Sequence, residues 1–275
     1  MTPLIALSTA SVFPESTAHA FGFAARLGYD AVEVMVGIDS LSQQAAAVRQ
    51  LSAHHEMPVC AIHAPCLLIT QRVWGTDHWG KLVRSAEMAH EVGADVVVVH
   101  PPFRWQKDYA AEFVAGIAEL EEETGIAFAV ENMYPWKSRS GATTRRGNER
   151  RRMEMYAPGW DPSEESYANA CIDLSHAAVA GSDPVAMADR LGARLRHVHL
   201  TDGTGSFKDE HLVPGRGTVG AQKFLEHLAG RFAGHVVLEI NTRKCETPAA
   251  KEADLVESLE FARRHLQVGV PGGAT

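Results

Sequence analysis

The sequence has few of the features that mark secreted or membrane-bound proteins. Only four of its 275 residues are cysteine and none forms a C-x-x-C pair, which is typical of proteins in a reducing compartment without a disulfide framework. No apolar run approaches the ~20 residues that a membrane-spanning helix needs. The apolar N-terminus also lacks the basic residues that open a secretory signal. We therefore expect a cytoplasmic protein that has no membrane partner.

Positive charge is also scarce. Asp and Glu number 34 against 26 Lys and Arg, and the formal net charge is −8. Nonspecific affinity for nucleic acid comes largely from Lys and Arg that neutralise phosphates, so the composition disfavours nucleic acid as the partner. A local basic patch could still bind nucleic acid. A small-molecule substrate fits the charge better.

Eight short β-rich segments alternate with segments of helical spacing. The β-rich segments are LIALST, AVEVMV, VCAIHAP, DVVVVHP, AFAVENM, ACIDLSH, RHVHLTD and HVVLEIN. Such alternation predicts parallel strands, and runs such as VVVV predict strands that are covered on both faces. Eight units of about 34 residues favour an α/β fold of the (β/α)8 TIM barrel type. A doubly wound open sheet is the competing fold, but no G-x-G-x-x-G follows the first strand.

We predict a single barrel domain over residues 1–266 and a flexible tail over 267–275. An insertion at about 134–167 separates the fifth and sixth strands and carries seven basic residues from Lys137 to Arg152. Loops that follow barrel strands open onto the catalytic face. The insertion is therefore either a solvated loop or a lid whose arginines bind phosphate groups.

Six consecutive predicted strands, from the third to the eighth, end in a side chain that can bind a metal. These side chains are His63, His100, Glu131, Asp173, His199 and Glu239, and His176 follows closely after Asp173. Parallel barrel strands point their carboxyl ends to one face, so these groups should converge. Burying several carboxylates together is costly without a compensating cation. The pattern predicts a divalent metal site at the barrel mouth.

The seventh strand and the loop after it add further candidates. His197 and His199 share a side-chain face because strands have a period of two, and His199 lies nearer the mouth. We assign His199 as the ligand and His197 as a deeper packing or supporting residue. Asp209 and His211 form a D-x-H pair in a glycine-rich loop, which can fold back over the same mouth.

The sequence resembles the xylose isomerase-like TIM barrels, a superfamily that includes endonuclease IV and the inosose and keto-sugar epimerases. The resemblance covers nearly the whole chain. It is carried by the motifs AIHAP, VVHPP, AVENM, CIDLSHA, HVHLTDG, KDEHLVPGRG and VVLEIN.

The epimerase branch of this superfamily implies one divalent ion. Its four ligands would be Glu131, Asp173, His199 and Glu239. The resemblance also implies that Glu131 and Glu239 act as acid and base on either face of a substrate carbon, and that His176 contacts the substrate.

The endonuclease IV branch implies three zinc ions and in-line displacement at phosphorus. The additional ligands would be His63, His100, His176, Asp209 and His211. A donor set of histidines and carboxylates without thiolate fits zinc or manganese, so one to three ions of these metals are expected. The acidic charge and the absence of recognisable DNA-intercalating loops depart from this branch.

Three further residues are candidates for substrate binding. Glu33 in YDAVEVM is predicted to end the second strand and could contact substrate hydroxyls or make a structural hydrogen bond. Arg216 stands between two glycines and could hold an anion or face solvent, and Trp136 begins the insertion near the mouth.

We therefore predict a metal-dependent isomerase or epimerase of a small sugar, sugar phosphate or related carbonyl compound. An endonuclease IV-like phosphoester hydrolase is the alternative, and a barrel that binds a metal or metabolite without catalysis is a third hypothesis. Dimers and tetramers occur among similar barrels, so a homo-oligomer is expected without an assigned interface.

Overall fold

The computed structural model describes residues 3–66, 70, 72–137 and 152–267. Within these residues the strands are β1 (Leu4–Ser8), β2 (Ala31–Met35), β3 (Val59–His63), β4 (Val96–Val99), β5 (Ala127–Glu131), β6 (Trp136–Lys137), β7 (Arg152–Met153), β8 (Ala170–Asp173), β9 (Leu195–Leu200) and β10 (His235–Leu238). All except β6 and β7 pair in parallel and close into a barrel in the order β1-β10-β9-β8-β5-β4-β3-β2. The predicted α/β fold, a single-domain TIM barrel, is confirmed.

Helices surround the barrel and connect its strands. They are α1 (Thr17–Leu27), α2 (Ala45–His55), α3 (His78–Val92), α4 (Lys107–Thr124), α5 (Leu174–Ala180), α6 (Pro184–Leu191), α7 (Ala221–Leu228) and α8 (Pro248–Leu266). Left-handed glycines end several of them, including Gly93 after α3 and Gly125 after α4. A residue without a Cβ adopts this conformation at little cost, which lets the chain turn back into the next strand.

The two faces of the barrel strands pack differently. The outer faces join the helices in a core of large side chains, among them Phe21, Phe113 and Phe224. A separate buried cluster occupies, apart from Cys60, the alternate strand positions that face the barrel interior. Its members are Ala6, Ala31, Cys60, Ala61, Val96, Val98, Ala129, Cys171 and Val237. These small side chains leave room inside the barrel for larger polar residues.

The predicted basic insertion is described only at its two ends. β6 and β7 pair antiparallel there, and Tyr156 forms a bridge with Phe103 in the loop after β4. Residues 138–151, which carry most of the basic charge, lie outside the described residues, as do residues 268–275 of the tail predicted over 267–275. The lid therefore stays a prediction.

None of the helices in the described part of the chain is both long enough and apolar enough to cross a membrane.

Candidate metal centre

The barrel brings together the side chains that were predicted to end its strands. We call His63, His100, Glu131, Asp173, His199 and Glu239 the strand-end cluster. Each is at most 8% exposed. His100 and Glu239 stand one residue beyond the observed ends of β4 and β10. The parallel register places Asp173 of β8 directly opposite His199 of β9.

Glu131 lies at the centre of this cluster. Its Oε2 atom is 3.3 Å from Nε2 of His63 and 3.1 Å from Nε2 of His100. Its Oε1 atom is 3.1 Å from Nδ1 of His176 and 3.3 Å from Nδ1 of His199. One carboxylate thus faces four imidazole rings in a buried space.

The donor atoms of β8, β9 and β10 face the same space. Nδ1 of His199 is 2.9 Å from Oε2 of Glu239 and 3.9 Å from Oδ2 of Asp173. Oδ1 of Asp173 accepts a hydrogen bond from the backbone of His176 and so caps α5. Its Oδ2 atom is buried and has no hydrogen-bond partner among the residues that the structure describes. A buried carboxylate oxygen rarely stays unpaired, so this atom fits a bound cation.

A second group of donors lies beside the strand-end cluster. We call His176, Asp209 and His211 the outer cluster. Oδ2 of Asp209 is 3.2 Å from Nε2 of His176 and 3.0 Å from Nε2 of His211. Nδ1 of His211 donates to the carbonyl oxygen of Glu239 at 2.7 Å, so in the neutral ring the lone pair lies on Nε2, which faces Asp209. With Asp173, these three residues place one ligand atom each within 4.8 Å of one another.

Ser175 fixes the loop that carries Asp209 and His211. Its hydroxyl donates to Oδ1 of Asp209 at 2.6 Å and accepts from the backbone N–H groups of Glu210 and His211 at 3.1 Å each. Sequence analysis missed this role. The only signal was a Ser between the metal-competent Asp173 and His176.

Asp202 organises the remainder of the same loop. Its carboxylate accepts from the backbone N–H groups of Gly203 and Gly215, both at 2.9 Å. A Cβ at Gly217 would lie 2.3 Å from Oδ1 of Asp202, so this position requires glycine. Asp202 thus explains why glycine stands at position 217 of this loop.

Burial and neighbouring charges shift the pKa values of the residues in the site. Burial acts to raise the pKa of the Glu131 carboxyl, but the charges of His199 and His100 outweigh it and hold this pKa well below its ordinary value. Burial raises the pKa of Asp173 above its ordinary value. In His211 burial acts to lower the pKa, but Asp209 and Asp173 outweigh it and raise this pKa to about 10. In the metal-free protein, protons on histidine thus compensate the carboxylates that a cation would otherwise neutralise.

The candidates for substrate binding lie in other environments. Glu33 is in the middle of β2 rather than at its end, is fully buried, and faces His199 inside the barrel, so it is not a residue of the open mouth. Arg216 pairs with Asp254 and Glu257, whose carboxylates already neutralise its guanidinium. This pairing corrects the interpretation of Arg216 as an anion-binding residue. Trp136 of β6 is 39% exposed and contacts the hydroxyl of Tyr156.

Sequence comparisons relate this chain to one family. A model described as the xylose isomerase-like TIM barrel matches residues 21–265. An uncharacterised protein of Mycobacterium leprae (strain TN) is 48% identical over 278 residues, which cover 97% of this chain and 99% of that protein. Fructoselysine 3-epimerase of Escherichia coli O157:H7 is 21% identical over 252 residues, covering 84% of this chain and 87% of that enzyme.

Solved structures share the fold. A D-tagatose 3-epimerase-like protein superposes with a TM-score of 0.66 at 23% identity, covering 95% of this chain and 98% of that one. The 3-keto-D-glucoside 4-epimerase of E. coli gives a TM-score of 0.68 at 17% identity, covering 95% and 99%. At these identities the comparison shows a shared fold, namely the barrel and the connections between its strands.

Proposed function

We propose, on the premise that the chain belongs to the xylose isomerase-like TIM barrel family, that it is a divalent-metal-dependent isomerase or epimerase. Its substrate would be a small polyhydroxylated carbonyl compound such as a sugar or sugar phosphate. The observation that carries the proposal is the convergence of three carboxylates on Nδ1 of His199: Glu131 at 3.3 Å, Asp173 at 3.9 Å and Glu239 at 2.9 Å. Among the described residues, the buried Oδ2 atom of Asp173 has no hydrogen-bond partner. The names of the epimerases to which the chain is similar support the same class of reaction.

These four residues would hold the metal. Three carboxylates and one imidazole, with no thiolate among them, fit zinc or manganese. Such an ion, when bound, would polarise the carbonyl and an adjacent hydroxyl of the substrate.

Glu131 and Glu239 would move the protons. Glu131 ends β5 and Glu239 follows β10. These strands are separated in the barrel by β8 and β9, so the two carboxylates approach the mouth from different sides. One carboxylate removes a proton from the carbon beside the carbonyl, and the other returns a solvent-derived proton to the opposite face. This exchange inverts the carbon, or moves the carbonyl when the proton returns to the neighbouring carbon.

Aromatic side chains on the β6 side of the mouth would orient the substrate. The rings of Tyr134 and His176 have centroids 5.2 Å apart. Burial raises the pKa of Tyr134 above its ordinary value and that of Tyr156 to about 12, so both hydroxyls keep their protons at neutral pH. They can therefore donate hydrogen bonds to sugar hydroxyls, and Trp136 offers an apolar face beside them.

Solvent exchange tests the proposal. The protein, loaded with Mn²⁺ or Zn²⁺, is incubated with a panel of ketoses and their phosphates in deuterated water. We expect deuterium at a carbon next to the carbonyl, and Glu239→Gln should lower its incorporation by about 10²- to 10⁴-fold. Glu257→Gln, on the exposed face of α8, is the matched control and should exchange normally. Absence of exchange with every sugar by metal-loaded protein would contradict the proposal.

A metal-dependent phosphoester hydrolase is the second candidate, favoured by a different observation. The donors His63 and His100, together with the outer cluster, exceed what a one-metal site needs. Several ions in one mouth could activate water and stabilise both oxygens of an in-line displacement. Hydrolysis of phosphomonoesters or phosphodiesters by protein with more than one metal per chain, without deuterium exchange into sugars, would favour this function. Loaded protein that does neither would be a barrel that binds metal without catalysis.

A further inference from the structure

A column of polar side chains continues beneath the strand-end cluster, inside the barrel. Glu33 of β2 and His197 of β9 are both fully buried there. His235 of β10 follows, with its ring centroid 5.5 Å from that of His197 and its Nε2 atom 3.4 Å from Asp95. The surrounding interior positions carry alanine, cysteine and valine. The mechanism proposed above uses none of these polar residues.

Glu33 contacts the side of His199 that faces away from the mouth. Its Oε2 atom is 3.2 Å from Nε2 of His199. The opposite ring nitrogen, Nδ1, faces Glu239 at 2.9 Å and Glu131 at 3.3 Å. With a cation held by Glu131 and Glu239, Glu33 would be the remaining carboxylate acceptor beside the ring. A neutral His199 would then carry its proton on Nε2 and offer the Nδ1 lone pair to the mouth.

We propose that Glu33, supported by His197, is a positioning residue that sets the tautomer and orientation of His199 for metal binding. The inference rests on the proposed metal function of the strand-end cluster. Nε2 of His197 lies 2.9 Å from the same Oε2 atom, so the carboxylate lies between two rings of the same strand. A hydrogen bond from a metal-binding histidine to a carboxylate fixes the ring and raises its basicity as a ligand.

A purely structural role explains Glu33 poorly. A carboxylate in an apolar barrel interior costs free energy, and an apolar side chain of similar volume would fill the same space without that cost. Oε1 of Glu33 has no hydrogen-bond partner among the described residues, so the position is not optimised for polar satisfaction alone. The contact with His199 explains why a carboxylate is buried at this position despite its cost in free energy.

Metal affinity and a proton resonance test the inference together. Zn²⁺ affinity is measured by chelator competition, and the Nε2–H resonance of His199 is followed by NMR in zinc-loaded protein. We expect Glu33→Gln to weaken Zn²⁺ binding by about 10- to 100-fold and to shift this resonance upfield because the charged acceptor is lost. His197→Gln should have a smaller effect in the same direction. His235→Gln, an interior variant one step further from His199, is the matched control and should bind Zn²⁺ like the wild type.

The outcomes separate this inference from the proposed function. Wild-type protein that binds neither Zn²⁺ nor Mn²⁺ would contradict the proposed function itself. Wild-type binding with unchanged affinity and an unchanged resonance in Glu33→Gln would overturn only the positioning role. If Glu33→Gln does not fold, Glu33→Asp keeps the charge and withdraws it by one methylene, and wild-type affinity in that variant would equally overturn the role.

Discussion

The strand-end cluster and the outer cluster are built from the same kinds of side chain but are held in different ways. The side chains of the strand-end residues are at most 10% exposed, and each residue stands at or next to the end of a hydrogen-bonded barrel strand. In the outer cluster, the side chains of Asp209 and His211 are 26% and 17% exposed and depend on Ser175 for their position. The barrel therefore supplies a rigid donor set, whereas the loop after β9 supplies donors that a one-metal epimerase does not require. The function of the outer cluster decides between the two candidate reactions.

Asp173→Asn should break the strand-end cluster and have the largest effect. The amide preserves the cap of α5, because Asn is as good an N-cap as Asp, but it removes the charge that would face the proposed cation. We expect Mn²⁺ affinity, measured by titration calorimetry, to fall by more than the roughly 10- to 100-fold typical of supporting residues. Asp183→Asn makes the same change at the cap of α6 and should leave affinity intact. Equal Mn²⁺ affinities in the two variants would show that Asp173 is not a metal ligand.

Asp209→Asn tests whether the outer cluster acts on substrate or on a second metal. If the cluster orients a sugar, we expect KM to rise while deuterium exchange at saturating substrate stays within about tenfold of the wild type. Metal content, measured by elemental analysis, should not change. Loss of one or more metals per chain together with loss of phosphoester hydrolysis would instead support the second candidate.

His211 of the outer cluster and Glu131 of the strand-end cluster should contribute to stability with opposite pH dependence in the metal-free protein. The pKa of His211 is raised to about 10, because Asp209 and Asp173 outweigh the effect of burial. A raised pKa in the folded state contributes stability that is fully present below about pH 6.5 and is lost as pH rises through about 10. The lowered pKa of Glu131 instead contributes stability that is present above its ordinary value and is lost as pH falls.

Urea unfolding of metal-free protein between pH 6.5 and 10 tests whether the contribution of His211 to stability decreases as pH rises. The free energy of unfolding of His211→Gln should approach that of the wild type as pH rises, because the wild type loses a contribution that the variant never had. A constant difference across this range would show that protonation of His211 does not stabilise the fold.

Ser175→Ala should have the smallest effect and should be confined to the outer cluster. Removal of the hydroxyl leaves two backbone N–H groups without their acceptor, which costs about 1–3 kcal/mol. We expect faster hydrogen exchange at the amides of Glu210 and His211 and unchanged exchange in β8 and β9. Ser206→Ala, in the same loop, removes a hydroxyl that contacts the backbone of Lys208 and is the control. Faster exchange throughout the barrel would show that the two clusters are not separable.

The donors of the strand-end cluster could be predicted because they depend on short-range patterns. Alternation of strands and helices indicates a parallel barrel, and a barrel places the ends of its strands at one mouth. Glu131, Asp173 and His199 therefore meet without any knowledge of how the loops fold. The period of two within β9 also placed His197 beneath His199, as the structure has it.

The residues that could not be placed depend on contacts between distant parts of the chain. Arg216 finds its carboxylate partners on α8, and no local pattern connects that helix to the glycine-rich loop. The sequence did not show that Glu33 lies inside the barrel rather than at its mouth, because the strand pattern does not fix where β2 ends. In the structure β2 continues to Met35. Ser175 acquires its role only when the loop after β9 folds back over α5.

Anomalous diffraction at the manganese edge, from crystals grown with Mn²⁺, tests the central claim most directly. We expect a peak bounded by the carboxylates of Glu131, Asp173 and Glu239 and by Nδ1 of His199. Manganese held only by the outer cluster, or no peak between these four side chains in crystals of metal-saturated protein, would contradict it.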